Sequence, residues 1–335
     1  TASAPSASIN SLDNSYSQNI FNPFLSTLML LCGKGSIGIV AITTLLTISS
    51  SLINLWYIFV KLKVRFSFKS LNIPLIKEIS FFSFFIFLGS IVDQINWNVD
   101  KILLGRLCGT ISVSIYSIAS HINTVFMQLS DMTANVMSVK VNKIVAENID
   151  VNNKLNIVFI EVGRIQTCIV SMMVFGFIAL GKEFIELWVG YDYMGAYYAA
   201  LFLIIPASIP LIQSLGIDIQ RALNKHQIRS LLYMAFAIIN IVISISLINK
   251  FNYIGAAIGT GIVVFIGNGL LMNVLYHRYI GLNIIDFWKN VLPIVVTAIV
   301  PCLLTMSTYY IFDNVNLYCF LFRGILFVIV YLLLL

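Results

Sequence analysis

The feature that most constrains this chain is a succession of nine or ten apolar stretches, each about 17–28 residues long, with only short polar breaks between them. A helix rises about 1.5 Å per residue, so about 20 apolar residues cross a hydrocarbon layer about 30 Å thick. Inside lipid each backbone N–H and C=O needs an internal partner, which makes each stretch a helix. With 59% apolar residues, 10% charged residues and a mean hydropathy of +0.94, the chain is predicted to be an all-α polytopic membrane protein.

Ten transmembrane helices are predicted from these stretches. They cover residues 17–32, 37–60, 77–99, 110–134, 157–181, 195–217, 228–249, 253–276, 290–312 and 316–335. The sequence opens without a methionine on a Ser- and Asn-rich segment, and it stops within an apolar stretch. We interpret the chain as a fragment of a longer protein.

The basic residues predict the orientation of these helices. Thirteen Lys and Arg residues lie in or beside the loops that follow the second, fourth, sixth and eighth helices, and five lie in the other loops. In membrane proteins the cytoplasmic loops carry an excess of Lys and Arg. Residues 61–76, 135–156, 218–227 and 277–289 are therefore predicted to be cytoplasmic.

Two segments share a pattern that indicates an internal repeat. Ile-Gly-x4-Thr occurs at residues 37–43 and again at 254–260, and a basic residue follows each glycine by 23 positions. The offset of 217 residues corresponds to six predicted helices, and two parallel six-helix halves are a known transporter arrangement. We therefore predict three parts. Residues 1–65 end a first half whose first four helices are missing, 66–280 form a complete six-helix second half, and 281–335 add two helices, the last one truncated.

The sequence contains no motif for a cofactor or a metal ion. The net charge of +6 is spread over the loops rather than gathered in one patch, so nucleic acid is not an expected partner. The five cysteines have neither C-x-x-C nor Cys/His spacing, and only three histidines are present. No G-x-x-x-x-G-K-[ST] motif occurs, so transport driven directly by ATP is not expected.

Several motifs between residues 77 and 260 resemble those of one transporter family. They are KEISFFS at 77–83, DKILLG at 100–105, VSIYSIA at 113–119, FIELWVG at 184–190 and IGAAIGT at 254–260. Their order and spacing resemble those of the polysaccharide flippases of the multidrug/oligosaccharidyl-lipid/polysaccharide exporter superfamily, the O-antigen (Wzx) type in particular.

This resemblance implies a fold and a function. The fold would be a two-lobed transporter bundle (6+6 helices, plus 2), of which this chain would hold about ten helices. The family turns undecaprenyl-diphosphate-linked oligosaccharides, such as O-antigen or capsule repeat units, across the bacterial inner (cytoplasmic) membrane by alternating access. The resemblance thus implies a multi-pass transporter of lipopolysaccharide biosynthesis rather than an enzyme. Its expected partners are the lipid-linked oligosaccharide, membrane lipids, a coupling H⁺ or Na⁺ and polysaccharide polymerase machinery.

A diphosphate held inside the membrane requires a buried cation. Arg164, about two turns into the fifth predicted helix, is the first candidate because a guanidinium offers a bidentate fork to phosphate. Glu161 lies three residues earlier, and the alternative is that the two side chains form a local ion pair. Charged residues inside the membrane are costly, so we place both in a candidate cavity.

Further candidates lie in the third and fourth predicted helices. Asp93 and Asn96 share one face of the third helix, and His121 is followed by Gln128 in the fourth. Because lipid exposure penalises such side chains, a polar cavity lined by the third, fourth and fifth helices is predicted. Within it, Asp93 or His121 would titrate with a coupling ion. The alternative is that they bond to or pack against neighbours only.

Three more residues are secondary candidates for the same cavity, namely Asp100, Lys101 and Asp131. For Asp100 and Lys101, near the outer end of the third helix, the alternative is an interfacial ion cluster. Arg323 in the last helix is expected to snorkel to a membrane interface. Trp188 is expected to anchor its helix at an interface, with sugar stacking as the alternative.

Two other functions stay open at this point. An ion-coupled multidrug or organic-cation exporter of the same superfamily would favour acidic cavity residues, and the candidates here carry both signs. A membrane-embedded glycan polymerase or transferase would be expected to show a large outer loop or a His/Asp/Arg cluster. The longest predicted outer loop, 182–194, has only about 13 residues.

Overall fold

The computed structural model describes residues 22–31, 33, 35–56, 59–60, 73–310 and 316–335, without the side chains of 36, 75, 76, 78, 82, 85, 92–97 and 310. The chain divides into two compact units between Lys77 and Glu78. The predicted boundaries after residues 65 and 280 stay predictions.

The described ranges are helical, as the apolar stretches predict. Before the division lie α1 (Asn22–Leu31) and α2 (Gly35–Trp56), and α3 (Ile73–Leu107) runs across it. The second unit continues with α4 (Thr110–Glu147), α5 (Val151–Val189), α6 (Gly195–Ile212), α7 (Leu215–Ala222), α8 (Gln227–Val264), α9 (Met272–Leu275), α10 (Ile284–Thr297), α11 (Ile299–Ser307) and α12 (Leu317–Leu334). Among the described residues, six helices are long and apolar enough to span a membrane. The predicted all-α membrane fold is thereby confirmed.

One of these six segments, Gln227–Ile280, contains two of the predicted spans. Asn252 has φ 56° and ψ −136°, which breaks the helix, and asparagine tolerates positive φ better than most residues. The break gives α8 a first arm (227–251) and a second arm (253–280), close to the predicted spans 228–249 and 253–276. The second arm runs on through a π-helical segment (Phe265–Leu271), α9 and a second π-helical segment (Tyr276–Ile280).

Several helices are longer than their predicted membrane spans. α4 continues to Glu147 and α5 starts at Val151, so the predicted loop 135–156 shrinks to residues 148–150. No Gly or Pro interrupts residues 135–147, so the helix extends beyond its apolar part. α5 likewise ends only at Val189, which shortens the predicted outer loop 182–194.

The second unit is packed around α6. This helix lies against α4, α5 and α8, and its buried face combines Leu203 and Ile204 with alanines 196, 199, 200 and 207. Small residues let membrane helices approach closely, and that packing holds them together in lipid. On the other side of α5 pack α10, α11 and α12. α5 is therefore shared between the α6-centred bundle and the last three helices.

The contact between α6 and the second arm of α8 depends on Gly261. A Cβ added there would overlap the backbone carbonyl oxygen of Phe202, which lies on α6. Gly261→Ala is therefore expected to destabilise the bundle by about 1–3 kcal/mol, the usual cost of overpacking. The measurement is thermal unfolding in detergent.

Gly105→Ala is the matched control for this substitution. Gly105 is also helical, but a Cβ there meets only Val113 at 3.5 Å, an ordinary contact. Alanine has the higher helix propensity by about 1 kcal/mol, so this variant should be neutral or slightly stabilised. Equal unfolding temperatures for the two variants would show that the close approach at Gly261 does not limit stability.

Candidate functional site

A buried carboxylate joins three helices in the second unit. Asp100 on α3 is 1% exposed. Its Oδ2 accepts a hydrogen bond from the Tyr116 hydroxyl of α4 (2.7 Å) and another from the Thr260 hydroxyl on the second arm of α8 (2.5 Å). The Asn240 side chain on the first arm donates to the Thr260 hydroxyl oxygen (3.3 Å), and the Ser244 hydroxyl donates to Oδ1 of Asn240 (3.2 Å). We call these five side chains the Asp100 cluster.

The Asp100 cluster has no countercharge within the described part of the chain. No Lys, Arg or His among the ion pairs of that part lies within 4.0 Å of Asp100, and its Oδ1 has no hydrogen-bond partner. A buried, ionised carboxylate without a countercharge is strongly disfavoured. The site therefore suits a proton or a small hard cation, since carboxylate, hydroxyl and amide oxygens are the ligands such ions prefer.

An open polar pocket lies where α3, α4 and α5 meet. It has a volume of about 480 Å³ and is lined mainly by polar side chains. They are Lys101 of α3, then Ser117, Ser120, His121 and Thr124 of α4, with Ile118, and Trp188 of α5. The pocket thus combines a cation, three hydroxyls and an aromatic ring, and α3, α4 and α5 are the helices predicted to line a polar cavity.

An apolar groove adjoins the polar pocket. Its volume is about 470 Å³, and apart from His121 its wall consists of glycines and apolar or aromatic side chains of α4, α5 and α12. His121 and Trp188 line both spaces, with their ring centroids 6.4 Å apart, and Phe184 stacks on Trp188 at 5.4 Å. The two spaces together have one polar end and one apolar end.

Three other predicted site residues, Arg164, Glu161 and Gln128, line neither of the two spaces. Arg164 is exposed on α5 and is absent from the walls of both spaces. Glu161 lies 3.9 Å from Lys140 of α4, an exposed ion pair, so the alternative of a local pair with Arg164 is not what the structure shows. Gln128 is exposed on α4. The side chains of Asp93 and Asn96 fall outside the described residues.

For three charged residues the structure differs from one alternative and one expectation given above. Asp100 does not join an interfacial ion cluster with Lys101, because it turns into the bundle while Lys101 lines the polar pocket. Arg323 does not snorkel to an interface. It is 1% exposed and pairs with Glu183 of α5, which is 3% exposed, because a carboxylate on the neighbouring helix offers a closer partner than the interface.

Sequence reasoning missed the partners of Asp100. Tyr116 and Thr260 belong to motifs that the resemblance singled out, but nothing in their spacing connects them to Asp100. Asn240 and Ser244 are four residues apart on one helix. That spacing of polar residues in an apolar helix is the signal that would have indicated an inward-facing polar face.

Comparisons with known proteins agree with this architecture. A family described as polysaccharide biosynthesis protein matches residues 9–137. A solved structure entitled "Lipid II flippase MurJ, inward closed conformation" is similar with a TM-score of 0.64 and 21% sequence identity, over 93% of this chain and 65% of that one. No curated sequence matches the chain. The chain therefore has the fold of that solved structure and spans 65% of its length.

Proposed function

We propose that this chain is part of a flippase that turns a lipid-linked saccharide from one leaflet of a membrane to the other. The observation that carries the proposal is the pairing of the polar pocket with the apolar groove at His121 and Trp188. The match to a polysaccharide biosynthesis family and the shared fold support it.

The paired spaces suit an amphiphile with a sugar and phosphate head. A pyranose ring presents C–H groups on one face, which pack against an aromatic ring such as Trp188. Hydroxyl groups of Ser117, Ser120 and Thr124 bond to sugar hydroxyls, and Lys101 supplies a positive charge for phosphate. The groove keeps a hydrocarbon chain in surroundings as apolar as the lipid it leaves. Each space falls within the roughly 300–1,000 Å³ typical of ligand sites.

The Asp100 cluster is the proposed site of the coupling ion. Occupation by Na⁺ or H⁺ would neutralise a carboxylate that connects α3, α4 and both arms of α8. A ligand that binds one arrangement of these helices better than another shifts the equilibrium between them. The cluster thereby links ion binding to helix arrangement, next to the polar pocket that Lys101 enters.

For the identity of the substrate and of the membrane, our proposal follows the sequence resemblance. They are an O-antigen or capsule repeat unit on undecaprenyl diphosphate and the bacterial inner membrane, with polymerase machinery as a further partner. Arg164 stays a predicted diphosphate ligand, and its exposure on α5 leaves its guanidinium accessible.

The test is flipping in liposomes that contain the full-length protein and a polyprenyl-diphosphate-linked saccharide. Movement is measured as protection of the sugar from an impermeant lectin. Trp188→Ala and Lys101→Gln are each expected to lower the initial rate roughly tenfold, which corresponds to a barrier to flipping that is higher by about 1.4 kcal/mol.

Leu187→Ala and Lys250→Gln are the matched controls. Leu187 is the neighbour of Trp188 on α5 but lines neither space, and Lys250 is an exposed lysine away from the pocket. Both controls should flip at the wild-type rate. Movement of a fluorescent organic cation without movement of the saccharide would replace the proposal by cation export. Lengthening of the saccharide would replace it by a polymerase.

A further inference from the structure

Two neighbouring cavities lie inside the second unit, apart from the polar pocket. The smaller one, the inner chamber, has a volume of about 20 Å³ and lies between the two arms of α8. The larger one, the vestibule, has a volume of about 230 Å³ and is lined by α4, α6, α7 and both arms of α8. Tyr233, Val264 and Asn268 line both cavities, so the two spaces adjoin.

The inner chamber reaches the Asp100 cluster. Asn240 and Thr260 form part of its wall, and Thr260 donates the 2.5 Å hydrogen bond to Asp100. A volume of about 20 Å³ holds one water molecule, since about 10–15 Å³ suffices. One such water, or one dehydrated cation, therefore fits between the cluster and Asn268.

The vestibule has the chemistry of a wet space. A volume of about 230 Å³ holds several water molecules, since about 10–15 Å³ suffices for one. Gln213 lines it with a buried side-chain oxygen that has no partner among the described residues, and buried polar atoms of this kind are normally satisfied by water. The Asn268 amide also makes no hydrogen bond to another described residue. The polar wall thus continues from the vestibule to the inner chamber.

Charges of both signs surround the vestibule. Asp131, Arg221 and Arg229 line it, and Asp218 lies behind Arg221 at 3.5 Å. Arg229 lies over the Tyr233 ring, 5.4 Å from its centroid, where the vestibule meets the inner chamber. Burial raises the pKa of the Asp218 carboxyl, and Arg221 and Arg229 act against that rise. The wall itself carries one carboxylate and two guanidiniums, and Asp218, which is not part of the wall, offsets the charge of Arg221.

The vestibule opens at the ends of the helices that are predicted to face the cytoplasm. Arg221 is about half exposed and belongs to the predicted cytoplasmic loop 218–227, whereas Lys101 and the polar pocket lie at the predicted outer ends of α3 and α5. We propose that the vestibule and the inner chamber form the path by which a monovalent cation bound at Asp100 reaches the cytoplasm, separate from the space that holds the saccharide. This inference rests on the proposed function, in which Asp100 holds the coupling ion.

The test blocks the junction with Asn268→Trp in the full-length protein. Binding of ²²Na⁺ is measured in detergent, and ²²Na⁺ flux is measured in liposomes. In parallel, a pH-sensitive dye inside the liposomes reports proton flux and separates the two candidate ions. Asn268→Trp is expected to keep binding within about twofold of wild type while flux of the coupled ion falls roughly tenfold or more. The matched control is Leu270→Trp. Leu270 lies two positions after Asn268 and its side chain is 54% exposed, so this variant should conduct normally.

The outcomes separate this inference from the proposed function. Conduction by Asn268→Trp at the rate of Leu270→Trp would overturn the path. Unchanged binding and flux in Asp100→Asn would instead overturn the coupling role of Asp100. If the tryptophan variant does not insert, Asn268→Cys in a chain without its five native cysteines decides the matter. An impermeant thiol reagent should label it from the cytoplasmic face, and labelling only from the other face, or from neither, would also overturn the path.

Discussion

Replacing Asp100 by asparagine is expected to abolish ion-coupled transport while leaving the helical bundle folded. The amide has nearly the shape of the carboxyl group and still accepts hydrogen bonds from Tyr116 and Thr260 at its remaining oxygen. It carries no charge to balance a cation and cannot take up a proton at physiological pH. If ion and substrate are coupled by about 1–3 kcal/mol, the roughly 5- to 150-fold effect of the ion on substrate affinity should disappear, and with it the response of flipping to an ion gradient.

The measurement compares flipping with and without a Na⁺ or H⁺ gradient in the same liposomes. Asp192→Asn is the matched control. It makes the same chemical change, but at a residue that is exposed in the short turn after α5. Wild type and Asp192→Asn should respond to the gradient, whereas Asp100→Asn should run only at the rate seen without one. A gradient response that survives in Asp100→Asn would remove the cluster from the mechanism.

The helices of this fold could be predicted because their signal is local. In lipid the length of an apolar stretch determines whether it spans, and one residue such as Asn252 that tolerates positive φ is enough to end a helix. The lengths beyond the membrane could not be predicted this way. In α4 residues 135–147, which mix polar and apolar side chains, continue the helix to Glu147, and hydropathy alone does not distinguish such a helix from a loop.

For the site, the sequence predicts which residues of a helix are polar but not which residues of other helices they contact. The sequence points to Asp100, Lys101 and His121 as polar residues in apolar surroundings, which lipid would penalise. It does not say what each one touches. Asp100 bonds to Thr260 across 160 positions of sequence, and Glu183 pairs with Arg323 across 140. Both contacts depend on how the helices pack, and no spacing rule within one helix describes that.

Removing one member of the Glu183–Arg323 pair is expected to loosen α12 from α5. Both side chains are almost fully buried, so Arg323→Met alone leaves an uncompensated carboxylate, and Glu183→Gln alone leaves an uncompensated guanidinium. The typical cost of breaking a buried pair in this way is about 3–5 kcal/mol. Arg323 has two further contacts. Its Nε donates a hydrogen bond to the Thr308 hydroxyl (3.1 Å), and its guanidinium carbon lies 3.9 Å from the centroid of the Tyr309 ring. They do not neutralise a charge.

The cysteine at position 302 reports this loosening. Cys302 is 5% exposed and packs with Ala179 of α5 and Phe327 of α12, so a thiol-reactive dye reaches it only when the last helices separate from α5. In a variant whose other cysteines are replaced, Arg323→Met and Glu183→Gln should each react faster and at lower temperature. Lys143→Gln is the matched control, since Lys143 belongs to an exposed pair with Glu147 at 4.0 Å, and exposed pairs contribute little.

The double variant Glu183→Gln/Arg323→Met separates charge compensation from shape. It removes both charges and keeps similar volume, and such replacements of buried pairs are often neutral or stabilising. Its Cys302 should therefore react about as slowly as that of the parent protein. If the double variant is as reactive as the two single variants, α12 separates from α5 because packing around Tyr309 and Thr308 is lost, and not because a charge is left unpaired. If none of the three reacts faster than Lys143→Gln, α12 stays on α5 through its apolar contacts alone.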